Sequence, residues 1–256
     1  MPYELHPEIT TPADDTVLWR YMDFAKFVHM IDTKKLWFAR QDQFEDPLEG
    51  TYTDGELKVL STLALGSNPI KGHVRIPELM RRSNFVNCWR SGPHESLAMW
   101  DLYGKGSGIV AVKSTVALLK EALEDFTRPV FIAKVDYVDW SQASWSNNGL
   151  VMCARKDISY QHEGEVRAMI WGHDLVLVSS PPGPDDDPNW EKTLVRAAEA
   201  IPVGLPVPFD SQRFLTEVVV GPREQRWVAP LVENVMKIYG LPHPVSISNR
   251  LTTRTK

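Results

Sequence analysis

Two cysteines, Cys88 and Cys153, are too few for a disulfide framework or a zinc knuckle. A reducing cytoplasm is therefore the expected compartment. Long apolar runs are also missing, and Leu175 to Val178 falls far short of a bilayer. No basic excess exists: 28 Lys and Arg stand against 33 Asp and Glu, a net charge of −5. No basic field thus advertises nucleic acid or a membrane surface, although a local basic groove remains compatible with that total. The first residues, M-P-Y-E-L-H, lack a basic region and an apolar stretch, so no secretory signal is expected. The seven His are dispersed, without H-x₃-H or H-E-x-x-H, and no metal is expected. G-x-S-x-G is absent, which removes the serine-hydrolase elbow.

What is present is an apolar fraction of 43% in 256 residues, enough to bury a core. No repeat or linker interrupts the chain. It divides into an irregular arm (1–15), one domain (16–248) and a frayed basic tail (249–256). Nine Trp without a period are mostly core. One or two are candidates to stack on a flat ligand such as a nucleobase or nicotinamide.

Hydrophobic periodicity predicts strands at 16–21, 36–40, 84–90, 109–112, 130–138, 163–170, 175–179, 203–209, 215–220 and 245–248. Helices are expected at 24–31, 53–65, 76–82, 95–103, 114–123 (with Ser114 as N-cap), 149–160 in part, and 226–239, ended by Gly240. Residues 44–50, F-E-D-P-L-E-G, read as a turn. Residues 181–188, rich in Pro and Asp, read as a mobile loop. Strands and helices interleave without βαβ regularity, which predicts α+β rather than a doubly wound sheet.

The most informative stretch is 160–171, Y-Q-H-E-G-E-V-R-A-M-I-W. On a strand, Glu163 and Glu165 point to one face, beside Arg167. Like charges that close raise one another's pKa, which is unfavourable unless something cationic binds there. The bland alternative is an exposed edge strand with charges facing water. Arg20 on the first strand, flanked by Trp19 and Tyr21, and Arg90 and Ser91 ending the third, add further ligand-binding groups. Such a set can hold a dinucleotide, with Arg gripping phosphates and a carboxylate bonding a ribose hydroxyl. Other motifs carry less. Residues 104–108, G-K-G-S-G, lack phosphate-loop spacing and read as a turn. Cys88 and Cys153 sit among apolar residues, where a thiol is usually inert.

In order, L-W-R-Y (18–21), L-W-F-A-R (36–40), F-E-D-P-L-E-G (44–50), V-N-C-W-R-S (86–91), L-A-M-W-D-L-Y-G (97–104), G-I-V-A-V (108–112), Y-Q-H-E-G-E-V-R (160–167) and V-V-V-G-P (218–222) resemble the bacterial DUF2971 family. The resemblance covers roughly residues 16–248. That family is of unassigned function and often associated with phage defence and abortive infection. More distantly, Arg on strand one, Ser on a middle strand and a late E-x-E are similar to the R-S-E type of ADP-ribosyltransferase.

This resemblance implies a split antiparallel sheet with flanking helices, and NAD as substrate without a metal. It implies that Arg20 contacts the NAD phosphates and that Ser91 supports the site. Glu163 would orient the ribose or acceptor, and Glu165 would be the catalytic glutamate. Trp100, Tyr103 or Tyr21 would stack on nicotinamide. The acceptor would be a macromolecule, protein or nucleic acid, with an antitoxin as a further partner and no membrane. The chain departs from the pattern at Arg90, where the family has Ser, with Ser91 one place later. Glu45 also replaces the usual Asn. Two other classes compete: a non-catalytic nucleotide- or partner-binding sensor, and a nuclease using Glu163, Glu165 and Asp46 with Mg²⁺.

Overall fold

The computed structural model describes residues 3–63, 70–103, 108–142, 146, 148–172 and 199–250. The expected strand at 175–179, the loop at 181–188, most of the turn at 104–108 and most of the tail lie outside those residues.

The architecture is α+β, built on a nine-stranded mixed sheet. Its strands are β1 (Val17–Asp23), β2 (Lys35–Arg40), β3 (Asn84–Ser91), β4 (Ile109–Thr115), β5 (Phe131–Lys134), β8 (Glu165–Trp171), β9 (Gly204–Pro208), β10 (Glu217–Val220) and β11 (Val245–Ile247). Two more, β6 (Asp136–Val138) and β7 (Arg155–Asp157), form a small parallel sheet. In the large sheet β11 lies parallel to β10 at one edge, and the other pairings are antiparallel.

Strand alternation divides β1 between two cores. Leu18 and Met22 enter the main core, while Trp19 and Tyr21 face a second. The main core is covered by α1 (Phe24–Thr33), α5 (Val116–Ala122) and α8 (Val228–Ile238). Met99 and Trp100 of α4 (Leu97–Tyr103) cover the second. Leu150 and Cys153 of α6 (Gly149–Cys153) cover a third, over β3 and β8. The remaining α-helices among the described residues are α2 (Asp54–Leu63), α3 (Ile70–Ser83) and α7 (Ser211–Phe214).

Local chemistry sets the boundaries. The Asp23 carboxylate accepts from Lys26 N at 2.8 Å and starts α1 directly after β1. Lys34, at φ 51°, closes that helix with a left-handed residue, and Gly240, at φ 67°, follows α8. The N-cap of α5 is Thr115, accepting from Leu118 N, and not Ser114 as expected. Ser114 is still strand, and its buried hydroxyl donates to the Phe214 carbonyl. The single strand expected at 130–138 is two. β5 follows β8 only as far as Lys134 opposite Val166, and the chain then pairs with β7 instead. The arm is irregular but docked, with Glu4 N donating to Val130 O and Lys134 N to Thr10 O.

Pairing along β3 shapes the site. One edge of β3 is matched by β8 from Asn84 to Arg90. The opposite edge is shared. β2 pairs at Phe85 and Val86, and β1 pairs at Arg90 and Ser91. Between those contacts β1 and β2 part, so the sheet is split, with α1 joining the two sides.

Candidate active site

A cavity of about 780 Å³ occupies that split. Its walls come from β1, α1, β2, the middle of β3, α4 and the segment carrying Glu163 and Glu165. Arg20 reaches it from β1, with its guanidinium 5.5 Å from the centre of the Trp89 ring. Arg20 makes no ion pair among the described residues, and burial lowers its pKa. An unpaired, partly desolvated guanidinium is unfavourable unless an anion arrives.

At the other wall lies a network of five charges. Arg167 is fully buried. Its Nε donates to Glu165 Oε1 and its Nη2 to Oε2, both at 2.9 Å. Nη2 also meets Glu49, and Nη1 donates to the Cys153 carbonyl at 2.6 Å. Lys156 Nζ lies 2.6 Å from Glu163, 3.3 Å from Glu49 and 3.7 Å from Glu165. Aromatic rings back both cations: Phe44 lies 5.4 Å from Arg167 and Tyr160 lies 4.5 Å from Lys156.

These cations reverse an expectation. Two close carboxylates were expected to push each other's pKa up. Burial does push Glu165 up, but Arg167 and then Lys156 outweigh it, and its pKa is lowered. Burial also opposes the charge on Lys156, yet Glu165, Glu49 and Glu163 raise its pKa. Burial, with Glu165 adding to it, raises the pKa of the half-buried Cys88 thiol well above its ordinary value.

The local backbone differs from the expected strand at 163–170. Residues Ile158–Glu163 form 3₁₀ turns, and Gly164 at φ 53° ends them. The strand begins only at Glu165. Glu163 is therefore on a turn rather than beside Glu165 on a strand face. Both still line the cavity. Ser91 sets this turn, since its N–H and hydroxyl each donate to the Gly164 carbonyl at 2.8 Å.

Of the residues singled out in the sequence, Arg20, Tyr21, Arg90, Tyr103, Glu163 and Glu165 line the cavity. Ser91 and Trp100 are not among its lining residues. Trp100 is buried against Tyr21, ring centres 4.8 Å apart at 90°, and its indole N–H donates to Glu95. Tyr21 accepts from Ser96 N at 2.8 Å. Arg90 donates to the His94 carbonyl at 2.7 Å, and its buried Nε has no partner among the described residues. Burial raises the Tyr103 phenol to about 12, with Cys88, Glu163 and Glu165 adding to the shift. Asp46, considered with the glutamates for Mg²⁺, instead caps its own turn by accepting from Leu48 N. Among the described residues no group of three or more His, Cys, Asp or Glu could hold a metal ion. No described helix is long and apolar enough to cross a membrane.

Sequence reasoning missed Glu49, Lys156 and Tyr137. Glu49 was read only as part of a turn, yet it is 3% exposed and holds both network cations. Tyr137 accepts the Glu165 N–H at 2.8 Å and fixes the start of β8. The one available signal for Glu49 was the set of three acidic residues in F-E-D-P-L-E-G, more carboxylates than a plain surface turn requires.

No family model matches the chain, and no curated protein does. Among solved structures it is similar to Thermus sp. 2.9 DarT in complex with ADP-ribosylated ssDNA. That match has 9% identity over 94% of this chain and 97% of the other, with a TM-score of 0.40. The same protein in complex with NAD+ matches at 11% identity over 93% and 98% of the two chains, with a TM-score of 0.39.

Proposed function

We propose that this chain is an NAD-dependent ADP-ribosyltransferase acting in the cytoplasm on a macromolecular acceptor. The observation that carries the reading is the polarity of the cavity. Arg20, without an ion pair among the described residues, lies at one wall, and the ionised, rigidly held Glu165 lies at another. Such a cavity suits a ligand with an anionic centre and a developing cation. NAD offers a pyrophosphate to Arg20. Its nicotinamide ribose gains positive charge as the glycosidic bond breaks. The cavity volume falls within the range of small-molecule sites (about 300–1,000 Å³).

In the proposed reaction the C1′–N bond breaks and its electron pair leaves with neutral nicotinamide. The oxocarbenium-like C1′ is stabilised by the Glu165 carboxylate. Each Glu165 oxygen keeps a lone pair beyond its bond to Arg167, enough to accept from a ribose hydroxyl. The acceptor's nucleophile then bonds to C1′ and loses its proton, with Glu163 on the adjacent turn as the group to orient or deprotonate it. The DUF2971 resemblance supports a role as a toxin or phage-defence effector restrained by an antitoxin.

The test is release of nicotinamide from NAD by the purified protein, with EDTA present, with and without cell lysate. Turnover in Glu165→Gln should fall about 10²–10³-fold, the scale of losing one electrostatic stabiliser. Wild-type turnover in that variant would remove Glu165 from the mechanism. NAD binding without release would instead favour the sensor reading, since a carboxylate held between two cations also suits a purely binding site.

A further inference from the structure

We propose that Trp37 is the platform on which the nucleobase of the dinucleotide stacks, and that Gly204 exists to seat its ring. This rests on the NAD reading above and adds a specificity residue to it. Along β2, Leu36, Phe38 and Arg40 are buried, whereas Trp37 is 46% exposed and lines the cavity. A Cβ on Gly204 would come within 2.2 Å of Trp37 Cζ2 and 2.4 Å of Cε2. The indole thus occupies the space that any side chain at 204 would need. Gly204 is outside the left-handed region, so space and not backbone conformation requires glycine there.

Pro206 stands directly opposite Trp37 in the β2–β9 register and also lines the cavity. The ring is therefore set between two residues with no flexible side chain, and little freedom is lost when a base stacks on it. Asn87 ties this platform to the phosphate wall. Its Nδ2 donates to the Trp37 carbonyl at 2.8 Å, and its Oδ1 accepts from Trp89 Nε1 at 2.6 Å. Trp89 is the ring beneath Arg20. Trp37 stands on β2 and Glu165 on β8, with β3 between them, so two strand spacings of about 4.8 Å each separate their backbones. A base on Trp37 would be the adenine, with the glycosidic bond left at the glutamate.

An aromatic ring covering an edge glycine also stabilises a sheet. That role alone would change the melting temperature without changing which ligand binds. The test is calorimetric titration of wild type, Trp37→Ala and Gly204→Ala with ADP-ribose and with nicotinamide mononucleotide, which lacks the adenine. Trp37→Ala should weaken ADP-ribose binding about ten- to hundredfold, the scale of losing one base stack. Binding of the mononucleotide should be unchanged. Gly204→Ala should act in the same direction by displacing the ring, but its Cβ would also meet the Phe38 carbonyl at 2.9 Å, so Trp37→Ala is the deciding variant. If Trp37→Ala is poorly folded, Trp37→Phe, with a smaller ring, takes its place and should show a smaller selective loss. Equal loss for both ligands, or no loss for ADP-ribose, would overturn the platform and leave the NAD reading standing. Wild-type protein that binds neither ligand would remove the NAD reading and the platform with it.

Discussion

Arg167 grips both carboxylate oxygens of Glu165 from two positions along the same strand, each bond 2.9 Å long. The side chains share a face because strand residues alternate. The pair is nearly sealed from water, with side-chain exposures of 1% and 8%. Glu165 is thereby fixed as an anion in one orientation, which an electrostatic stabiliser of a developing cation requires.

Arg167→Met should destabilise the protein by about 3–5 kcal/mol, because it leaves Glu165 and Glu49 buried with only Lys156 to balance them. Urea unfolding measures the loss. The double variant Glu165→Gln/Arg167→Met should lose less than the sum of the two single changes. Additive losses would show that the two side chains are not coupled.

Acid should act on Glu165 with a definite sign. Its pKa is lowered in the folded protein, burial notwithstanding, by Arg167 and Lys156. The stability it contributes is present above the unfolded carboxylate value and is lost as pH falls through the lower folded value. Stability measured from pH 6 down to pH 2 should therefore drop less steeply in Glu165→Gln than in wild type. Parallel curves would mean that the pair does not stabilise the fold.

Arg20→Lys should weaken ADP-ribose binding at least tenfold, in line with a charge-assisted hydrogen bond of about 1.5–3 kcal/mol. A Lys ammonium keeps the charge but lacks the planar fork that meets two phosphate oxygens at once. The same substitution should barely change the melting temperature, because Arg20 makes no ion pair among the described residues. Unchanged binding in calorimetry would move the phosphates away from Arg20.

Much of the strand and helix order was legible because hydrophobic periodicity encodes it locally. Leu36 and Phe38 against Trp37 show β2, and Phe27, Met30 and Ile31 show the buried stripe of α1. Boundaries were less legible where two local devices compete. Ser114 and Thr115 are both good caps, and only the Phe214 carbonyl, brought close by the fold, draws Ser114 into the strand side. The E-G-E spacing looked like strand alternation. Gly164 instead adopts φ 53°, held from behind by Ser91.

The sequence by itself determined the amphipathic elements and, through their irregular order, the α+β class, since periodicity and capping depend on neighbours within a few residues. Only the tertiary structure decided that Glu49, 118 residues from Arg167, joins the pair of Arg167 and Glu165. It also decided that Lys156 bridges three carboxylates, and that Trp37 meets Gly204 across two strands. The physical reason is range. Periodicity and capping report contacts of a few residues, while the cavity exists because β1 and β2 pair with different ends of β3.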